Sequence, residues 1–249
     1  MKLKHYITFK LVKILPRIFG NLFLALYRQK LNHTLRYLIK NKIEINTVYD
    51  IGAFNGNWST FLSKTSLKNS KFFLFEANKE NEMYLKKSNF KYFITVLSDI
   101  EKKIKFYSKV LTGDSYYFEN SNFYKKDLDS KEVNTSTLNS LVQKNNIPLP
   151  DLIKIDTQGS EIDILKGGDK ILSNCSLIYL ECPIIEYNLG APNFVKYIDY
   201  LSSINFTPYE ICEVHHVDRA LVQIDILFFK TSLLKKINPQ KKVLNILNK

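Results

Sequence analysis

The segment VYDIGAFNGNWS at residues 48–59 decides the fold that we predict for this chain. An apolar start ends at Asp50, glycines follow at Gly52 and Gly56, and a helix is expected to begin near Asn57. A strand that turns through glycines into a helix directs backbone N–H groups and the helix N-terminus toward a ligand. The segment therefore predicts the first strand, turn and helix of an α/β fold that binds a small molecule at this turn.

This turn departs from the glycine pattern that holds a pyrophosphate. Dinucleotide-binding turns carry Gly-x-Gly-x-x-Gly, in which the second glycine lets the phosphate approach the backbone. Phe54 occupies that second position here, and the Asp50 carboxylate would repel an anion. A ligand with a positive end fits better, and S-adenosylmethionine carries a sulfonium and an amino group. We therefore expect S-adenosylmethionine, with an NAD-dependent oxidoreductase as the alternative on the same broad fold.

The basic residues are concentrated at the two ends of the 249-residue chain, whose formal net charge is +12. Residues 1–43 hold ten Lys and Arg and no acid, and residues 230–249 hold six and no acid. The segment between them keeps 20 basic residues and all 24 acidic ones, so it is slightly acidic. Nucleic-acid binding needs a basic stripe across the body of the protein, and this distribution argues against a nucleic-acid partner.

We expect three parts: a basic N-terminal helical extension at residues 1–43, a catalytic domain at residues 44–232 and a basic C-terminal tail at residues 233–249. Apolar residues recur at helical spacing between Leu11 and Leu26. The longest apolar run there, about ten residues, is too short for a membrane span, which needs about 20. Two alternatives follow: these helices pack on the catalytic domain, or they bind an anionic membrane surface.

Three cysteines are widely spaced and form no Cys-x-x-Cys pair: Cys175, Cys182 and Cys212. Neither a disulfide framework nor a zinc site is predicted from them, and a reducing compartment is the simplest interpretation. The expected location is the cytoplasm, with peripheral contact at the inner membrane face as the extension of the membrane alternative.

Residues 47–230 alternate strand-like and helix-like segments, the pattern of a parallel sheet covered on both faces. Ligands of such sheets bind at the carboxyl ends of the strands. The predicted second strand ends at Glu76, where a ribose is bound in nucleotide-binding folds. The third ends at Ser98 and Asp99, expected beside the adenine, and the fourth ends at Asp156, on the strand that neighbours the first.

Four segments together resemble the FkbM-type methyltransferases: DIGAFNG (50–56), FEAN (75–78), LSD (97–99) and KIDTQGSEIDILKG (154–167). The resemblance covers residues 46–230, and Ala77 stands where the family has a proline. It implies an S-adenosylmethionine-dependent enzyme that O-methylates sugars of natural products or surface polysaccharides. It also implies a Rossmann-like class I methyltransferase sheet of seven strands, of which the last is antiparallel.

Residues and resemblance together predict the cofactor-binding set Asp50, Gly52, Ala53, Asn55, Gly56, Glu76, Ser98, Asp99 and Asp156. Methylation of a hydroxyl needs a base that takes its proton, and we expect Asp156, with Glu181 and His215 or His216 in reserve. A divalent metal on Asp156 is an alternative way to polarise the hydroxyl. No metal site is predicted, because the adjacent His215 and His216 point to opposite sides of an extended segment.

The expected function is O-methylation of a sugar hydroxyl in a bacterial surface polysaccharide or glycolipid precursor, so the expected partner is a glycan or a lipid-linked glycan. One rival is the NAD-dependent oxidoreductase, which the missing third glycine and Asp50 disfavour. The other is a non-catalytic glycan-assembly protein that keeps the fold, with the basic ends as its working surface. The intact Asp50, Glu76 and Asp156 argue against this second rival.

Overall fold

The computed structural model describes residues 29–108, 113–119 and 129–237. The predicted helical stripe from Leu11 to Leu26 lies outside the described residues, as does the tail beyond Ile237. Within the described part of the chain, none of the helices has the length and apolar character that a bilayer crossing requires.

The strands are β1 (Thr47–Ile51), β2 (Lys71–Glu76), β3 (Lys91–Ile94), β4 (Val96–Leu97), β5 (Lys103–Ser108), β6 (Asp129–Ser136), β7 (Leu152–Ile155), β8 (Leu177–Pro183), β9 (Phe206–Val217) and β10 (Ala220–Lys230). The α-helices are α1 (Lys30–Lys40), α2 (Asn57–Lys64), α3 (Glu82–Leu85), α4 (Leu138–Lys144), α5 (Glu161–Lys166), α6 (Asp169–Leu172), α7 (Phe194–Ser203) and α8 (Thr231–Ile237).

Seven strands form the central sheet in the order β3-β2-β1-β7-β8-β10-β9. Strands β1, β2, β3, β7 and β8 pair in parallel, and β10 runs antiparallel to both β8 and β9. This order confirms the predicted class I methyltransferase sheet with its last strand antiparallel. The direction in which successive strands are added to the sheet reverses between β1 and β7, so their carboxyl ends form the switch point at which α/β sheets bind ligands.

The predicted third strand is wrong in one respect, because the segment from Tyr92 to Leu97 is divided between two sheets. Strand β3 ends at Ile94, and β4 pairs instead with β6 in a three-stranded sheet of order β4-β6-β5. The amide of Thr95 still donates to the Glu76 carbonyl at 2.8 Å, and Val96 then faces Thr135 of β6. The small sheet therefore begins where the central sheet ends.

The central sheet is buried on both faces. Tyr49 and Ile153 belong to a cluster with α4, α5, α6 and α7, whereas their neighbours Val48 and Leu152 belong to a cluster with α1, α2 and α8. Successive side chains of a strand point to opposite faces, so both must be apolar in a sheet covered on both sides. This explains the continuous apolar runs from which the strands were predicted.

Helix α1 lies within the predicted N-terminal extension, and it packs on the sheet. Leu35 and Leu38 are fully buried in the cluster that also contains Val48, and the Lys30 ammonium lies 3.2 Å from Glu210 Oε1 on β9. The described part of the extension thus follows the first alternative, packing on the catalytic domain. Helix α8 follows β10 directly and spans the predicted boundary at residue 232.

Candidate active site

A cavity of about 820 Å³ opens at the carboxyl edge of the central sheet. Its volume falls in the range of about 300–1,000 Å³ that small-molecule sites occupy. The walls come from the turn after β1, the end of β2, the β3–β4 segment, the loop after β7, the end of β8 and the β9–β10 hairpin. All of the strand ends that the sequence singles out therefore meet around one space.

The turn after β1 has the backbone geometry that its glycines predict. Gly52 and Gly56 have φ of +72° and +73°, and Phe54 between them has φ of +49°. A Cβ atom on Gly52 would lie 1.9 Å from the carbonyl oxygen of Asp156, so no other residue fits there. The first strand and the fourth strand of the predicted fold thus touch at this glycine.

Asp50 is fully buried beneath the turn rather than in the cavity wall. Its Oδ2 accepts a hydrogen bond from Ser59 Oγ at 2.7 Å, and its Oδ1 lies 3.1 Å from Lys154 Nζ. Lys154 also donates to the Gly52 carbonyl at 2.8 Å and lies 3.5 Å from Asp156 Oδ2. Burial disfavours the Lys154 charge, but Asp50 and Asp156 outweigh it and raise the pKa of the ammonium.

Glu76 lines the cavity at the end of β2 with only 5% of its surface exposed. Its Oε2 accepts from the Phe54 amide at 2.7 Å, and its Oε1 accepts from the Asn78 amide at 2.8 Å. Burial raises the pKa of Glu76, and these backbone hydrogen bonds oppose the rise. Oε1 also accepts from Asn81 Nδ2 at 3.3 Å, so Oε2 is the oxygen that keeps a lone pair for a bound hydroxyl.

Ser98 and Asp99 lie behind the cavity wall. Ser98 is fully buried and donates to Asp99 Oδ1 at 2.9 Å, and Asp99 lies 2.8 Å from the Lys102 ammonium. The wall at this point is built from Thr95, Val96 and Leu97, because the chain leaves the central sheet after β3. Of the predicted cofactor residues, Gly52, Glu76 and Asp156 line the cavity, whereas the remaining ones are not part of its described lining: Asp50, Ala53, Asn55, Gly56, Ser98 and Asp99.

Asp156 and Glu181 lie at the end of the cavity formed by β7 and β8. The side-chain amide of Gln158 bridges them, with Nε2 at 2.6 Å from Glu181 Oε1 and 3.3 Å from Asp156 Oδ1. The Asp156 side chain is 39% exposed and open to a ligand, whereas Glu181 is 9% exposed. Burial, reinforced by the Asp156 charge, raises the pKa of Glu181 well above its usual range. The site therefore contains an open carboxylate beside a carboxyl that favours its neutral form.

Two further cavity residues, Gln158 and Tyr187, were not assigned a role from the sequence. Gln158 is part of the KIDTQG segment of the family resemblance, and it has a left-handed φ of +58°. Tyr187 lies in the loop after β8, and its hydroxyl donates a hydrogen bond to Glu181 Oε1 at 3.2 Å. Its place after the end of β8 puts Tyr187 on the ligand side of the sheet, but only the fold of that loop brings its hydroxyl to Glu181.

Glu161 holds the loop after β7 in place. It is 1% exposed at the start of α5, and its carboxylate accepts from the amides of Thr157 at 2.8 Å and Gly159 at 3.0 Å. Tyr197 of α7 donates its hydroxyl to the same carboxylate. The acid thus ties the segment that carries Asp156 to the helices beneath the sheet.

His215 lies in β9, which extends to Val217 and pairs with β10 up to the hairpin turn. Its Nε2 lies 3.5 Å from Asp225 Oδ1 and 3.8 Å from Glu213 Oε2. His215 is not among the described residues that line the cavity. The structure therefore groups it with two carboxylates rather than with Asp156.

The described cavity lining is strongly acidic. Among the residues that the structure describes, the lining contains no Lys, Arg or His. It contains five carboxyl side chains, those of Glu76, Asp114, Glu119, Asp156 and Glu181. A cavity lined by acidic side chains without basic ones favours positively charged or neutral ligands over anions. This local charge is opposite to the formal net charge of +12 for the whole chain.

Three solved structures with a similar fold are distant from this chain in sequence. Methyltransferase FkbM from Methylobacillus flagellatus KT is 16% identical with a TM-score of 0.46, covering 75% of this chain, which spans 43% of that protein. Precorrin-6y C5,15-methyltransferase from Geobacter metallireducens GS-15 is 14% identical, with a TM-score of 0.44 and coverage of 81% and 88%. Magnesium protoporphyrin IX methyltransferase from Synechocystis PCC 6803, solved with bound SAM, is 7% identical, with a TM-score of 0.44 and coverage of 82% and 79%.

The family assignment comes from the sequence itself. No curated protein matches the chain. The family model described as the methyltransferase FkbM domain matches residues 50–210, well over half of the 249 residues. The matched segment begins at Asp50 and contains the turn after β1, Glu76, Asp156 and Glu181, which places most of the cavity wall inside it. The chain belongs to the FkbM methyltransferase family.

Proposed function

We propose that this methyltransferase uses S-adenosylmethionine to methylate a sugar hydroxyl of a bacterial surface polysaccharide or glycolipid precursor. The observation that carries the proposal is the acid-lined cavity at the switch point, with Glu76 on its β2 side and the pair Asp156 and Glu181 at its β7–β8 end. An acidic cavity suits a sulfonium donor, and a paired open and neutral carboxyl suits the deprotonation of a hydroxyl.

The residues on the donor side fit S-adenosylmethionine. Glu76 Oε2 has a lone pair for a ribose hydroxyl, and Gly52 lines the cavity at the turn, where the amino-acid end would lie. When bound, the cofactor supplies an electrophilic methyl group. The carboxylates of the lining favour its positive charge, and they favour release of the product, which has lost the sulfonium charge.

Asp156 is the proposed base. Its 39% exposed carboxylate can accept a hydroxyl proton from an acceptor, and the Lys154 ammonium lies 3.5 Å from it. Glu181 in its neutral form can donate a hydrogen bond to the same acceptor, and Gln158 keeps the two side chains in fixed relation. Holding the two reactants in line lowers the activation barrier by up to about 7–11 kcal/mol in favourable cases, so positioning and the base both contribute to the rate.

The lining also bears on the acceptor. Phosphorylated sugars and nucleotide sugars are anions, and the described lining offers them no cationic side chain. Ile185, Val217 and Val222 supply apolar surface beside Tyr187, which suits the C–H face of an uncharged sugar ring. We therefore favour a neutral sugar unit of a glycan or lipid-linked glycan. The basic residues of the N-terminal extension support a location at the cytoplasmic face of an anionic membrane.

Cofactor choice is tested by fluorescence, because Trp58 is the chain's single tryptophan and lies at the start of α2, next to the turn after β1. S-adenosylhomocysteine is expected to change the Trp58 emission in a saturable way, and NAD is expected to leave it unchanged. A saturable response to NAD alone would reject the methyl-donor assignment and restore the oxidoreductase alternative.

The acceptor is tested by comparing surface glycans of cells with and without the protein for the mass of one methyl substitution. With labelled S-adenosylmethionine and the identified glycan, Asp156→Asn is expected to lose about 10²–10⁴-fold in turnover while still binding S-adenosylhomocysteine. Glu132→Gln, at an exposed position on β6, is the matched control and keeps full turnover. An Asp156→Asn enzyme with unchanged turnover would remove Asp156 as the base.

A further inference from the structure

A cluster of three metal-ligand side chains lies on strands β9 and β10. Glu213 and Asp225 are directly opposite each other in the antiparallel ladder, and His215 follows Glu213 by two residues. Opposed residues, and residues two apart on one strand, point to the same face of a sheet. The register of the hairpin therefore gathers one imidazole and two carboxylates on one face, whereas His216 points to the other.

The distances within this cluster match a shared ion. His215 Nε2 lies 3.5 Å from Asp225 Oδ1 and 3.8 Å from Glu213 Oε2, and one ligand atom of each residue lies within 4.8 Å of the others. Nitrogen and oxygen ligands bind zinc at about 2.0–2.2 Å, which puts two ligands of a tetrahedral ion about 3.4 Å apart. The two distances from His215 Nε2 are therefore close to the spacing of ligand atoms around one ion.

A buried tyrosine orients one of the carboxylates. Tyr179 of β8 is 5% exposed and donates its hydroxyl to Asp225 Oδ2 at 2.8 Å. This hydrogen bond leaves Oδ1 as the oxygen that faces His215. Hydrogen bonds to the outer oxygen of a ligating carboxylate are a regular part of metal sites. The side chains of Glu213 and His215 are 28% and 38% exposed, so an ion and its waters can reach them.

We propose that Glu213, His215 and Asp225 form a binding site for a divalent transition metal such as Zn²⁺, completed by water. One imidazole with two carboxylates suits Zn²⁺ or Mn²⁺, whereas Mg²⁺ and Ca²⁺ prefer oxygen ligands alone. The site is separate from Asp156, and its strands contribute Val217 and Gln223 to the cavity lining. The proposal concerns binding and does not depend on which acceptor the enzyme uses.

The test uses the full chain without a histidine tag, stripped with a chelator and titrated with Zn²⁺ by calorimetry. We expect one ion per chain and at least a 10-fold weaker binding for both His215→Asn and Glu213→Gln. His216→Asn is the matched control, because it removes the adjacent imidazole from the other face and should bind as the unchanged chain does. Tyr179→Phe keeps the ring and is expected to weaken binding about 10-fold to 100-fold.

Two outcomes would overturn the proposal. Absence of stoichiometric Zn²⁺ binding at neutral pH would show that the cluster is an ordinary ion-pair group. Equal losses in His215→Asn and His216→Asn would place the ion elsewhere. Co²⁺ substitution separates this site from the three cysteines, since a nitrogen and oxygen site lacks the sulfur-to-cobalt charge-transfer band. Circular dichroism of each variant confirms that lost binding is not lost folding.

Discussion

Replacing Lys154 with methionine is expected to destabilise the protein strongly. The Lys154 side chain is 6% exposed, and its ammonium lies 3.1 Å from the fully buried Asp50 carboxylate and 3.5 Å from Asp156. Removing one partner of a buried ion pair leaves an uncompensated charge, which costs about 3–5 kcal/mol. At roughly 2–4 °C per kcal/mol for a domain of this size, Tm should fall by about 6–20 °C.

A matched variant separates burial from simple loss of charge. Lys103 pairs with Glu132 at 2.7 Å, closer than Lys154 is to Asp50, but both side chains are about two-thirds exposed. Exposed pairs contribute only about 0–1 kcal/mol, so Lys103→Met should cost little. Adding Asp50→Asn to Lys154→Met removes one of the uncompensated charges and is expected to recover part of the lost stability.

The measurement is urea unfolding followed by Trp58 fluorescence and by circular dichroism, with the free energy extrapolated to water. Agreement of the two probes checks that unfolding is two-state. If Lys154→Met lost no more stability than Lys103→Met, the buried pair would not be the link between β1 and β7 that its geometry indicates.

Three further changes test the cavity wall. Glu181→Gln should raise stability at pH 8, because burial raises the pKa of Glu181 in the folded state and makes its charge costly there. That cost is present only above the unfolded-state pKa of about 4.3, so the gain should disappear in melts near pH 4. Gly52→Ala should lower the free energy of unfolding by more than about 1 kcal/mol and should weaken S-adenosylhomocysteine binding. Gly190→Ala is the control in the same melts: Gly190 has φ of +77° and a Cβ added there would have no atom within 4 Å, so this change measures the cost of the backbone angle alone. Glu76→Gln should weaken S-adenosylhomocysteine binding about 10-fold or more by calorimetry.

The sheet was predictable because its information is local. Each parallel strand is an apolar run that ends at a polar residue, and the order follows from the right-handed connections of such units. The division after Ile94 was not predictable, because β6 carries a polar sequence and joins β4 through pairing about 40 residues away along the chain. The full length of β9 was not predictable for a related reason, since its register includes bulges that only the partner strand β10 reveals.

The sequence located the strand ends but not which acids face the cavity. Glu76, Asp156 and Glu181 line the cavity, whereas Asp50 is buried beneath the turn and does not line it. A periodic pattern assigns a residue to a face of the sheet, but it does not tell whether a cation covers that residue. The cue was Lys154, a lysine inside the apolar run of β7, where an unpaired ammonium would be costly.

That lysine makes the turn after β1 and the end of β7 one structural unit. Lys154 donates to the Gly52 carbonyl and faces Asp50 and Asp156, while Gly52 packs against the Asp156 backbone. A shift of the turn therefore moves the proposed base, and a shift of the base moves the turn. The burial of Asp50 thus does not remove it from function, because it holds the cation that connects the donor side of the cavity to the proposed catalytic carboxylate.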